Sequence, residues 1–193
     1  MLTQERFRQI GFIIPLFDVK AHSGFANQPD GDAVAVISNS ASDTGLCTIF
    51  GTNKTTGAFK YETVTLTGTS AVTTTETDWG SVYGVFLGDI YGKTTKAAVG
   101  TITVREASAD QAITTIAATK MGIGLQAFYG LTGRDVTIAQ VSGNLYLYDA
   151  GIATTANGYP FASAEKLNLC PTGDYFTLIS DSSAATAKII VWK

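Results

Sequence analysis

The sequence predicts an all-β protein: an antiparallel, jelly-roll-like β-sandwich, built as one body or as two lobes, behind an extended N-terminal arm. Three observations predict this. In residues 60–75, KYETVTLTGTSAVTTT, Val64 and Leu66 fall on one side of an extended chain and Thr63, Thr65 and Thr67 on the other, the period of a half-buried strand. Short apolar segments then recur between turn signals at the spacing of a sandwich. No long segment carries the 3.6-residue period of a helix, so the crossovers of a parallel sheet, and with them a Rossmann or barrel enzyme, are not expected.

Taken in order, residues 1–30 form the arm. Residues 5–8 offer the start of a short helix, after which Pro15, Gly24 and the NQPDG run at 27–31 break regular structure. The arm's Phe7, Ile10, Phe12, Ile13, Leu16 and Phe17 demand burial, either under their own domain or on a neighbouring subunit, because large apolar groups left in water are unfavourable. Residues 31–120 form a β-sandwich domain with strands expected near 32–38, 46–52, 60–67, 70–75, 82–90, 98–105 and 111–117. Turns are expected at 39–43, 53–57, 68–70, 78–80 and 108–110, and YGKTTK at 91–96 is a longer loop suited to contact with a partner. Residues 121–193 form a second β-rich lobe that completes the first sandwich or packs on it. Its strands are expected near 125–129, 136–141, 145–148, 167–170, 175–179 and 188–192. SGN at 142–144 reads as a hairpin turn, with Gly143 supplying a positive φ, and MGIG at 121–124 reads as the joint between halves. SAEK at 163–166 is long enough for one helical turn at most.

Composition narrows the function classes. Only 15 % of residues are charged, against roughly a quarter in an average domain, while hydrophobic content is 45 %. The expected surface is neutral and rich in hydroxyls, which suits extensive protein contact. A net charge of −3 with scattered Lys and Arg argues against nucleic acid as a partner, since phosphate neutralisation needs clustered cations. GFIIPLF at 11–17 is too short to span a bilayer and is interrupted by Pro15, so no membrane partner is expected, and without a small-residue cleavage site it is not expected to act as a secretory signal.

Catalytic and metal chemistry finds weak support. His22 is the single histidine and sits in the arm, where a solvated or interface role outweighs a general base. Cys47, flanked by Leu46 and Ile49, and Cys170 read as buried thiols, a disulfide between them being the alternative. Asp30 and Asp32 offer carboxylates to a cation, with Asp18 and Asn27 as further oxygens, but the calcium-loop pattern is absent and a turn explains them. GIGLQA at 122–127 matches a dinucleotide fingerprint in letters only, because it precedes a strand instead of opening a helix; it reads as a linker. Among Glu62, Glu76, Asp78, Asp89 and Glu106, two carboxylates could converge for glycoside hydrolysis, but without a known separation solvated surface acids are the preferred reading. No cofactor, no metal and no enzymatic activity are expected.

Most aromatic residues sit at strand positions, as core or cross-strand pairs do. Tyr146 and Tyr148, however, lie on the face opposite Leu145 and Leu147, and both faces can be apolar only if the strand is covered twice. The expected contact set is therefore Phe7, Phe12, Ile13, Phe17, Tyr91, Tyr146 and Tyr148.

Three segments carry a family likeness: ISNSASDT (37–44) leading through TIFGT (48–52) into ETVTLTGTSAVT (62–73), VGTITVR (99–105) followed by ITTI (113–116), and QAFYGLTGRDVTI (126–138). In this style of strand and turn the chain resembles the β-rich structural proteins of tailed-bacteriophage virions, over about residues 34–191. That resemblance implies a capsid decoration or cement protein, or a head-fibre protein. It would bind the major capsid protein and its own copies, as a homotrimer, on the capsid surface after assembly in the host cytoplasm. The alternatives it leaves open are a tail or fibre module for host-surface carbohydrate and a minor tail adaptor subunit.

Overall fold

Thr-, Val- and Ile-rich segments become strands wherever alternate positions find an apolar face to cover. The computed structural model describes residues 10–15, 25–90, 96–162, 165–180 and 186–191, which form sixteen strands with no helix among them. In chain order these are β1 (Ile10–Pro15), β2 (Val34–Ser38), β3 (Leu46–Asn53), β4 (Phe59–Thr65), β5 (Val72–Thr73), β6 (Trp79–Phe86), β7 (Ile102–Glu106) and β8 (Ala112–Ile116). Then follow β9 (Gly122–Gly124), β10 (Gln126–Tyr129), β11 (Val136–Ser142), β12 (Leu145–Asp149), β13 (Tyr159–Phe161), β14 (Lys166–Leu169), β15 (Tyr175–Ser180) and β16 (Thr186–Val191). All pairings are antiparallel.

Lobe 1 stacks the sheet β5-β2-β7-β8 on the sheet β4-β3-β6-β9. Val34, Val36, Ile102, Val104, Ile113 and Ile116 from the first meet Cys47, Ile49, Val64, Trp79, Val82 and Val85 from the second in one core. Lobe 2 is built from the sheets β14-β11-β16-β1 and β13-β12-β15-β10. Val136 and Ile138 of β11 join Leu145, Leu147, Phe176, Leu178 and Phe128 in a second core.

The two lobes share one topology. Replacing β2 to β9 in turn by β11, β12, β13, β14, β15, β16, β1 and β10 reproduces both sheet orders strand for strand. Local devices repeat as well. Between β3 and β4 the amide of Gly57 donates to the Asn53 carbonyl at 2.9 Å, and between β12 and β13 the amide of Gly158 donates to the Thr154 carbonyl at 2.9 Å. In both turns an asparagine carboxamide oxygen accepts from a main-chain amide, Asn53 from Thr56 at 2.8 Å and Asn157 from Thr154 at 2.7 Å. The lobes differ in one strand. β8 follows β7 through a tight connection closed by the Glu106 amide on the Gln111 carbonyl and by the Arg105–Asp110 ion pair, whereas its counterpart β1 comes from the opposite end of the chain.

Part of the arm thus forms an edge strand of lobe 2, in register with β16 from Ile10 opposite Val191 to Pro15 opposite Thr186. The chain re-enters lobe 1 at Phe25, which packs on its core, and the Ala26 amide donates to the Ile113 carbonyl at 2.7 Å. The side chain of Gln28 then brackets the main chain of Val82, accepting from its amide at 2.7 Å and donating to its carbonyl at 3.2 Å.

Four expectations need correction. Ser142, Gly143 and Asn144 do not close a hairpin: Gly143 has φ +75°, but β11 and β12 belong to opposite sheets, so the turn arches across the sandwich. Residues 121–124 lie where the chain passes from one lobe to the other, but as a strand and not a linker: Gly122–Gly124 pairs with β6 and runs on into β10. The strand expected from residue 98 begins at Ile102, since the amides of Val99 and Gly100 turn to Asp43 and that of Thr101 to Asn39. Cys170 is exposed and Cys47 buried, and both are free thiols. The helix start expected at residues 5–8 lies outside the described residues, as do Ser163 and Ala164; Lys166 already belongs to β14.

Candidate interaction site

Register decides which side chains each lobe turns toward the other. On β3, Cys47 and Ile49 face the lobe 1 core, so Thr48 and Phe50 face outward, level with Phe86 of β6 and with Tyr61 and Thr63 of β4. These outward residues are covered all the same: Phe50, Phe86 and Thr48 are fully buried, and the two phenylalanines belong to the apolar cluster of lobe 2. On lobe 2, Phe128 and Phe176 point into the sandwich, which turns Tyr129 and Tyr175 outward. The two outward faces meet in an aromatic junction. Phe59 stacks on Tyr175 at 4.8 Å between centroids, Tyr61 lies 4.7 Å from Tyr129, and Tyr129 lies 5.3 Å from Tyr175. Ring pairs at such distances add to the burial term. The shared strand makes this approach possible. Gly124 turns at φ +85°, and a Cβ on Gly84 would run into the Leu125 carbonyl oxygen.

The junction holds neutral phenols. Burial, reinforced by the neighbouring Tyr175 and Tyr61, pushes the Tyr129 hydroxyl well above the ordinary tyrosine range, and burial raises Tyr175 as well. The Tyr129 hydroxyl is buried and has no hydrogen-bond partner among the described residues. Tyr61 keeps 41 % of its surface exposed at the rim. The arrangement supplies stiffness and a half-open aromatic surface, and neither phenol is poised to ionise near neutral pH.

Of the expected contact residues, Tyr146 is half-buried against the lobe 2 core and Tyr148 is 39 % exposed. On the neighbouring edge strand β13, Pro160 lies opposite Tyr146 and shares its face, while Tyr159, opposite Leu147, is on the other face and is 61 % exposed. A proline on a short edge strand withholds an amide from further pairing, so this edge presents rings in place of an open ladder. Phe12 and Ile13 lie on β1, while Phe7, Phe17 and Tyr91 lie outside the described residues. Sequence reading did not single out Tyr61, Tyr129, Tyr159 and Tyr175 as site residues. The signal was available in Phe128-Tyr129 and Tyr175-Phe176, where adjacent aromatics on one strand must face opposite sides and so imply a strand covered twice.

Three of the five acids weighed for catalysis, Glu62, Glu76 and Asp78, are occupied with main-chain amides. Glu62 accepts from Thr75 at 2.6 Å and from Glu76 at 3.0 Å, and Glu76 accepts from the Asp78 amide at 2.8 Å while pairing with Lys60 at 2.7 Å. Lys60 also lies 4.4 Å over the Trp79 ring. Hydrogen bonding and charge from Lys60 hold the Glu76 carboxyl below its ordinary range, and the contact with Thr55 does the same for Asp78. Asp30 pairs with Lys54 at 3.0 Å, and Asp32 accepts from the amides of Ala33 and Ser108. Among the described residues no three His, Cys, Asp or Glu side chains converge in a way that would hold a metal ion. His22 and Asp18 lie outside the described residues. Burial pushes the Cys47 thiol up to about 12, which removes it as a nucleophile.

Asp43 carries three hydrogen-bond contacts. Its carboxylate accepts from the Ser38 hydroxyl at 2.6 Å, the Val99 amide at 2.8 Å and the Gly100 amide at 3.0 Å. Partial burial pushes its carboxyl up, but these donors and Lys96 outweigh burial and hold it below the ordinary range. The recess beside it, lined by Leu46, Leu66, Leu87, Lys96 and Ala97, measures about 20 Å³, room for a single water. No family model matches the chain, and no curated protein resembles it closely enough to lend it a function.

Proposed function

We propose that this chain is a non-enzymatic structural protein of a virion, a capsid decoration or cement subunit that binds the major capsid protein and its own copies, with a trimer as the assembled form. The supporting observation is the division of labour among its side chains. Glu62, Glu76, Asp78, Asp32 and Asp43 are spent holding the molecule's own loops, while the rings left partly open to solvent, Tyr61, Tyr148 and Tyr159, are of the kind that anchors protein contacts. Two sandwiches joined by a partly buried aromatic junction make a stiff body, which loses little freedom on docking. On a shell of repeated sites, many modest contacts then combine.

Quantitative mass spectrometry of purified particles tests this reading: copy numbers in the hundreds support decoration of the shell, and counts in the low tens or fewer contradict it. The second reading is a tail or fibre module that recognises host-surface carbohydrate, favoured by the exposed rings Tyr148 and Tyr159, which stand on opposite faces of the β12–β13 pair and each offer a surface on which a sugar stacks. Saturable glycan binding that disappears on changing both rings to serine supports it.

A further inference from the structure

We propose that β1 is an exchangeable strand, which at high local concentration leaves its own lobe 2 and pairs with β16 of a second copy of this chain. The inference goes beyond the virion reading and does not rest on it. In lobe 1 the slot beside β7 is filled by β8, which a tight hairpin returns to it; the equivalent slot beside β16 is filled by β1, and the next described residue along the chain, Phe25, packs on the other lobe. With β1 absent, β16 would show a row of unpaired amides and carbonyls along residues 186–191, a template for any matching strand. The strand that matches it in register is β1 itself, and every copy carries one.

The segment IGFIIP bears no charge, so it gains by staying paired and not by lying free in water. Its pairing with β16 is the same ladder whether donor and acceptor belong to one chain or to two. The choice is therefore set by the tether and by concentration. The tether is anchored on lobe 1 by Ala26 on Ile113, Asn27 on Ala112 and Gln28 on Val82, and the chain from Pro15 to Phe25 reaches at most about 35 Å. That reach suffices for a neighbour in contact. Head-to-tail exchange yields closed rings or open strings according to the angle between copies.

Cysteine pairing tests the proposal. Ile13 stands directly opposite Lys188 and Gly11 opposite Ile190, so Ile13→Cys on one copy and Lys188→Cys on another report the pairing between copies, in a Cys170→Ser background that removes the exposed thiol. The two singly substituted proteins are mixed, incubated at rising concentration, oxidised and analysed for a 13–188 linkage between copies. The expected result is a linked heterodimer whose yield rises roughly tenfold per tenfold in protein as the concentration approaches about 1 mM, the effective concentration of a short tether. The doubly substituted chain, oxidised when dilute, should link within itself. Linkage confined to the double variant, with no heterodimer at any concentration, would show a strand fixed in its own chain and overturn the proposal. Absence of linkage in every arrangement, in the Gly11→Cys and Ile190→Cys pair as well, would overturn the pairing on which it stands.

Discussion

Lobe 1 and lobe 2 share a strand order, but lobe 1 takes its strands from one unbroken run while lobe 2 collects an edge strand from the far end of the chain. Beyond the asparagine-held turns that precede Gly57 and Gly158, the shared order follows no sequence motif. What recurs is a pattern of faces: a strand read by one core on one side and by the facing lobe on the other, with turns that cross from sheet to sheet. The difference lies in chain connectivity. In lobe 1 Thr103 meets Thr115 across a short hairpin, whereas in lobe 2 Ile13 meets Lys188. Loop-closure entropy rises about 0.6 kcal/mol per doubling of length, so closing the β1 ladder costs about 2 kcal/mol more than closing the β8 ladder. Lobe 1 is the locally determined half, and the edge of lobe 2 is the part that opens first.

The largest test of how the lobes are joined is Phe50→Ala. Phe50 belongs to lobe 1 by sequence and to the lobe 2 cluster by packing, so its loss should lower stability by about 3–5 kcal/mol and be felt in both halves. Urea unfolding followed together with hydrogen exchange on β7 and β15 reads this; destabilisation confined to β7 would break the picture of a shared core. Gly84→Ala attacks the crossing strand, where the new methyl meets the Leu125 carbonyl, and should cost about 1–3 kcal/mol while loosening the junction tyrosines. Near-ultraviolet circular dichroism should show the tyrosine signal weakened.

Asp43→Asn keeps the shape and removes the charge, at about 1–2 kcal/mol, in lobe 1 alone. Because the folded carboxyl is held below its ordinary value of 3.8, its contribution is fully present above that value and is lost as the pH falls below it. Urea midpoints measured at pH 7 and pH 3 should therefore fall less on acidification for Asp43→Asn than for the parent. The smallest expected effect on stability is that of changing Tyr148 and Tyr159 to serine, within about 0.5 kcal/mol each. If these rings serve a partner, sedimentation should show self-association or shell binding weakened while the unfolding midpoint stays put.

Much of the fold is legible in the sequence. The strands around Val64, Val104, Ile113, Ile138 and Leu178 announced themselves by alternation or by compact apolar runs between turn residues. What escaped had physical reasons. β13 has three residues and a central proline, and β9 reads as glycine linker because two of its three residues are glycines, of which Gly124 lets its backbone approach that of Tyr83 and Gly84. The β1 pairing depends on a partner at the other end of the chain, which no local pattern encodes. The turn at Gly143 announced its positive φ but not its direction, since arches and hairpins use the same residues. At the site, Tyr146 and Tyr148 were visible as an apolar second face, while the junction of Phe59, Tyr61, Tyr129 and Tyr175 required knowing that the outward faces of two sheets meet.

The measurement that bears most directly on the two-lobe account is amide hydrogen exchange on the full chain and on a chain lacking residues 1–15. In an antiparallel ladder alternate amides of β16 bond to β11 and to β1. The account predicts that removal of β1 strips protection from every second amide of Thr186–Val191 and leaves β7 and β8 as protected as before. Equal protection of β16 with and without the first fifteen residues would contradict it.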